Sequence, residues 1–243
     1  MIPSELFCID DVRYLIELQY LGYTDLEYVG EYNHLVIGLP IYCSKKNIRL
    51  LYWAAYSGHV NVLQWIKDNY STTIDDIRSA NCEILNYAAV GGNTNVLQWI
   101  KDNYPITTDD IRSRNNWALH LAACNGHINV LQWIKDNSTI TIDDIRFRNN
   151  EILRWAAYNG RVNVLQWLKD NCSITIDDIR SDDNEALYLA ASFGHVDVLQ
   201  WLKDNYSITN DDIRSTDNGA LQYAAENGHV NVLQWLKDNY SIT

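Results

Sequence analysis

Paired carboxylates recur at Asp75-Asp76, Asp109-Asp110, Asp143-Asp144, Asp177-Asp178 and Asp211-Asp212, and an arginine follows each pair two residues later, from Arg78 to Arg214. Adjacent carboxylates suit a hard cation such as calcium. They also suit an acid–base couple when their surroundings separate their pKa values. Histidines at 59, 127, 195 and 229 each follow a glycine, and imidazole is the side chain best matched to proton transfer or metal ligation near neutral pH. A tryptophan column at 65, 99, 133, 167, 201 and 235 could stack planar ligands, and five cysteines at 8, 43, 82, 124 and 172 supply thiols.

Repetition argues against catalysis in each case. A catalytic pair need exist once, whereas a helix-cap acid and an Asp–Arg ladder between units must exist in every unit. The aspartates are therefore read as structural. The histidines are read as local supports for the turn glycine, and Asn93 and Arg161 stand in their place in two copies. His120 and His34 have no cysteine or acid at metal-binding spacing. No phosphate loop, nucleophile elbow or H-E-x-x-H occurs. The tryptophans stand beside Val62, Leu63, Ile66 and their counterparts, which favours core packing over ligand stacking. The cysteines form no C-x-x-C and are odd in number, as expected of reduced thiols in a cytosol-like compartment. The expectation is a non-enzyme with no cofactor and no metal.

The elements that position these residues follow from one period. Gly58, Gly92, Gly126, Gly160, Gly194 and Gly228 are each 34 residues apart, which signals stacked supersecondary units. Each unit opens at Asn47, Asn81, Asn115, Asn149, Asp183 or Asp217, read as helix N-caps. A first helix carries a leucine and an Ala-Ala pair, from Ala54-Ala55 to Ala224-Ala225, small enough for close helix approach. The glycine supplies a left-handed turn. A second helix carries the tryptophan, a lysine in its last turn and an asparagine (Asn69 and its counterparts) read as a left-handed C-cap. Between units, Thr175 with Asp178 predicts a capping box for one helical turn, with a short hairpin-like loop as the alternative. Residues 1–46 depart from the pattern and are read as a helical cap over the first unit, because terminal repeats are atypical. Within them, residues 2–6 and 25–29 faintly resemble the pieces of an F-box, at too long a spacing.

The run from Ala118 to His127, with Val130-Leu131 after it, resembles the ankyrin repeat and recurs in register over residues 47–243. The resemblance implies an all-α, ankyrin-like helix–turn–helix solenoid of six 34-residue repeats behind an N-terminal helical cap. The repeat boundaries are 47–80, 81–114, 115–148, 149–182, 183–216 and 217–243. Two departures stand out. The family's Thr-Pro before Leu-His is replaced, for example by Trp117-Ala118, and one extra residue falls where the family usually places a hairpin. The D-I-R, V-L-x-W-L and N-x-A-L variants are similar to ankyrin arrays abundant in giant viruses and amoebae, which would place the protein in the host cytoplasm if viral.

A net charge of −12 argues against a general nucleic-acid or anionic-membrane binder, and no apolar run reaches the ~18 residues of a membrane span. The resemblance implies protein partners, bound through loop tips and the exposed side of the first helix. Those columns hold Tyr56, Arg114, Phe147, Arg148, Tyr158 and Phe193, with Trp117 where other copies have charge or glycine. Aromatics beside arginine are the usual hot-spot chemistry. Two other readings remain open: a ubiquitin-ligase adaptor working through the F-box-like N-terminus, and a self-assembling array in place of a monomer.

Overall fold

A computed structural model describes residues 46–240. The expected N-terminal cap and its F-box-like pieces fall outside the described residues, except that Lys46 opens the first helix. Among the described residues there is no strand, and helices follow one another as Lys46–Tyr56, Val60–Tyr70, Ile74–Val90, Thr94–Asn103, Thr108–Ile111, Ser113–Asn125, Ile128–Asn137, Ile142–Tyr158, Val162–Cys172, Ile176–Ile179, Ser181–Ser192, Val196–Asn205, Asn210–Glu226 and Val230–Asn239.

One unit explains the others. Thr141 caps a short turn: its hydroxyl accepts from the Asp144 amide while the Asp144 carboxylate accepts from the Thr141 amide. The same box forms at Thr73/Asp76, Thr107/Asp110, Thr175/Asp178 and Thr209/Asp212, so the inter-unit segment is a capped helical turn rather than a hairpin. The chain then changes direction through three left-handed residues, Arg148, Asn149 and Asn150, at φ 48°, 57° and 61°. This corrects the N-cap reading. Asn115, Asn149, Asp183 and Asp217 are the middle residues of left-handed runs, and Cys82, directly after Asn81, is left-handed at φ 60°. Asn47 lies inside the first helix. Left-handed backbone costs an ordinary L-residue roughly 1–2 kcal/mol, and Asn and Asp tolerate it best. That tolerance accounts for the residue types at these positions.

The inner helix that follows carries Leu153 and Ala156-Ala157, all fully buried, and ends at the left-handed Gly160. The outer helix Val162–Cys172 buries Val164, Leu165, Trp167 and Leu168. Trp99, Trp167 and Trp201 are buried, whereas Trp65, Trp133 and Trp235 are half-buried. The asparagines near the ends of the outer helices are not left-handed caps. Asn103, Asn137, Asn171, Asn205 and Asn239 remain helical, and each donates its amide to the tryptophan carbonyl one turn earlier.

Polar ladders join each unit to the next. Indole N–H groups donate to the preceding unit's glutamine at 2.7–3.1 Å, from Trp99–Gln64 to Trp235–Gln200. Lysines donate to the following unit's asparagine, from Lys67–Asn103 to Lys203–Asn239. Arginines bind the following unit's capping aspartate: Arg78–Asp110, Arg112–Asp144, Arg146–Asp178 and Arg180–Asp212. The histidines reach across the joint rather than holding their own turn. His127 Nε2 lies 2.9 Å from the Val90 carbonyl, and His195 Nε2 lies 2.9 Å from that of Tyr158. Asn93 and Arg161 do the same work, donating to the Ala55 and Tyr56 carbonyls and to the Cys124 carbonyl.

These joints generate two tests. A Cβ on Gly160 would stand 2.7 Å from His195 Nδ1, while one on Gly228 meets nothing within 4 Å; both glycines have positive φ. Gly228→Ala is expected to cost about 1 kcal/mol from the backbone alone, and Gly160→Ala distinctly more. Equal losses in chemical denaturation would contradict the joint. The second test uses pH. Arg78 hydrogen bonds bring Asp110 down to about 2. Burial pushes Asp144, Asp178 and Asp212 up, but hydrogen bonds from threonine, arginine and, at Asp144, Asn116 outweigh it and leave all three lowered. Folded values below unfolded ones mean the stabilisation is complete above about pH 4 and is lost as pH falls toward about 2. Wild type should lose thermal stability across that window, and Asp110→Asn should lose less. Equal slopes would remove Asp110 from the account.

Candidate partner-binding face

The inner helices of consecutive units pack side by side. In the first five units their leucine and alanine pair are buried in the core, in the last Leu221 is half-buried and Ala225 exposed, and the positions between them change from copy to copy. Two aromatic clusters form there.

The first surrounds His120. Its ring is 2% exposed, and neither nitrogen has a hydrogen-bond partner. Trp117 lies on one side at 6.2 Å between ring centroids, and Phe147 meets it edge-on at 6.3 Å. The Arg148 guanidinium sits 5.3 Å from the Phe147 ring centre and 3.8 Å from the Glu151 carboxylate. Burial holds His120 below its ordinary pKa; Glu151 raises it and Arg148 lowers it further. The imidazole is therefore a neutral packing element.

The second cluster is more open. Trp155 is 40% exposed and Phe193 43%. Tyr158 bridges them, meeting Trp155 edge-on at 5.2 Å and Phe193 at 4.0 Å. Arg154 lies between the clusters and ties three segments together: it donates to the Arg148 carbonyl at 2.7 Å and to Asp182 at 2.9 Å, and it pairs with Glu185.

The structure thus groups Trp117, Phe147 and Arg148, and separately Tyr158 and Phe193. Tyr56 and Arg114 join neither cluster: Tyr56 meets Trp53 edge-on at 5.9 Å, and the exposed Arg114 comes within 4.0 Å of Glu83. Sequence reasoning missed Trp155, the Arg154 tie and the role of His120. It also missed the stacked pair Tyr52–Tyr87, with centroids 5.1 Å apart. The signal was present. Immediately before every Ala-Ala pair stand Trp53, Tyr87, Leu121, Trp155, Leu189 and Tyr223, a bulky column that varies while its neighbours do not.

Among the described residues no helix is long and apolar enough to cross a membrane, and no three ligating side chains gather as a metal site. Burial raises the Cys82, Cys124 and Cys172 thiols to about 11, 12 and 11. They are therefore protonated at neutral pH and unsuited to nucleophilic attack.

His120 generates a pH test. Its lowered folded value means the unfolded chain takes up the proton first. The contribution is therefore complete above about pH 6.5 and is lost as pH falls below that. His120→Leu should flatten the decline in thermal midpoint between about pH 7 and 5. An unchanged decline would show that another group causes it.

A family model described as Ankyrin repeats (3 copies) matches residues 51–144, 85–178 and 153–243. No curated protein matches the chain. The chain belongs to the ankyrin-repeat family, whose repeats generally mediate protein–protein interaction and whose members are typically non-enzymatic scaffolds.

Proposed function

We propose that this ankyrin-repeat protein is a non-enzymatic scaffold of six 34-residue repeats that binds a partner protein along its inner-helix face. The observation that carries this reading is the Trp155–Tyr158–Phe193 cluster, whose Trp155 and Phe193 rings are exposed on helices held by the buried leucines and alanine pairs. Large rings presented on rigid helices lose little entropy on binding and are the usual anchors of an interface. The neighbouring His120 cluster, with Arg148 exposed over Phe147, extends the same face. Exposed carboxylates at Asp182 and Asp183 stand on the helix Ser181–Ser192, and those at Asp217 and Glu226 on Asn210–Glu226. A partner segment with apolar side chains and nearby lysine or arginine complements that charge.

The test compares proteins retained from native cells by immobilised wild type, Trp155→Ala/Phe193→Ala, and the exposed control Lys237→Ala. The double variant should keep its helical signal and unfolding midpoint yet lose partners that the control retains. Retention of the same proteins by all three would remove the inner-helix face from the reading.

A further inference from the structure

At four outer helices a terminal tyrosine packs against the tryptophan five residues earlier: Trp65–Tyr70, Trp99–Tyr104, Trp201–Tyr206 and Trp235–Tyr240, with ring centroids 5.6–5.8 Å apart. Ser138 and Cys172 occupy the corresponding positions in the other two. Where Cys172 stands, a cavity of about 470 Å³ opens between consecutive units, lined among others by Lys135, Ile140, Ile142, Trp167, Cys172 and Ser173. We propose that this cavity receives a tyrosine side chain presented by a partner chain.

The joints that keep the tyrosine show what such a ring would meet. Tyr104 lies 5.8 Å from Trp99, the Lys67 ammonium lies 5.8 Å from the Tyr104 ring centre, and its hydroxyl is 2.6 Å from Thr72 Oγ1. Two units further on, the same places hold Trp167, Lys135 and Ile140, and all three line the cavity. Tyr206 donates its hydroxyl to the Ile174 carbonyl at 3.3 Å, and one unit earlier the equivalent carbonyl belongs to Ile140. The cavity therefore offers an aromatic edge, a cation for the ring face, two isoleucine walls and an acceptor for the phenol. Burial raises the Cys172 thiol to about 11, which makes it a neutral wall. The volume falls within the roughly 300–1,000 Å³ of ligand sites and exceeds that of one ring. It admits the ring together with the backbone that carries it, which favours a polypeptide source. The cavity lies among outer-helix and capping-turn residues, apart from the inner-helix aromatics, and stands independently of the face described above.

The chain can also supply its own occupant. Cys172 closes its helix ahead of the left-handed Ser173 at φ 53°, as Tyr70 does ahead of Ser71 at φ 49°. Cys172→Tyr should adopt the Tyr70 arrangement and fill the cavity from within. Tyr206→Cys should open a second cavity of the same kind.

The experiment measures binding of p-cresol and of N-acetyltyrosinamide to the full chain by ligand-observed NMR. Wild type should bind both saturably and in competition, at one site. Cys172→Tyr should bind neither while melting no lower than wild type, and Tyr206→Cys should bind two equivalents of p-cresol. The proposal is overturned by absence of saturable binding to wild type, or by undiminished binding to folded Cys172→Tyr. Binding of p-cresol without N-acetyltyrosinamide would also overturn it, assigning the cavity to a free small aromatic. If Cys172→Tyr does not fold, an unchanged single equivalent on Tyr206→Cys overturns it.

Discussion

A helix that stops leaves its last carbonyls without intrahelical donors, and in this chain the missing donors come from the following unit. Asn93 completes the carbonyls of Ala55 and Tyr56, His127 that of Val90, Arg161 that of Cys124 and His195 that of Tyr158. An amide, an imidazole and a guanidinium perform one task from one position. The same residues fill the space a Cβ would need on the preceding turn glycine. The glycine, the donor and the left-handed turn are thus mutually required. Each unit depends on its successor for its own termination, which is the nearest-neighbour dependence expected of a solenoid.

That dependence divides the surface. The Arg–Asp, Trp–Gln and Lys–Asn ladders absorb the residues that recur in every copy, so the recurring aspartates, tryptophans and lysines belong to the joints. A bidentate arginine on a nearly buried carboxylate orients more tightly than an exposed ion pair, which suits a joint that must keep its register. Positions not needed for a joint are free to differ, and there the chain exposes Trp155 and Phe193 and buries His120 without a partner. The Cys172 cavity follows the same logic: Ser138 and Cys172 replace the tyrosine that four other units have, and at Cys172 the vacancy keeps the surroundings of that tyrosine.

Most of this architecture is legible in the sequence. Period, alanine pair and turn glycine each have one inexpensive structural explanation, and the Thr–Asp capping box could be read from two residues. Asn149 and Asp183 were misread because an N-cap and a left-handed residue favour the same side chains, and only the backbone angle separates them. His127 was misread for a different reason: its neighbour in sequence is the glycine, but its hydrogen-bond partner is Val90, 37 residues away. Contacts across a joint have no local signature. Trp155 stands in a column that holds a bulky residue in every copy, and only the packing of the inner helices separates its exposed ring from the buried Leu121.

Deleting residues 149–182, one whole unit, tests the joint most directly. The shortened chain would set Trp201 against Gln132, Lys135 against Asn205, Arg146 against Asp212 and His195 against the Cys124 carbonyl, each the same chemistry at a new pairing. Urea unfolding followed by circular dichroism should then show a folded helical protein with one cooperative transition and a smaller denaturant dependence, in proportion to the surface removed. A chain that retains helix but has lost the cooperative transition would contradict the account, because the joints would not be interchangeable.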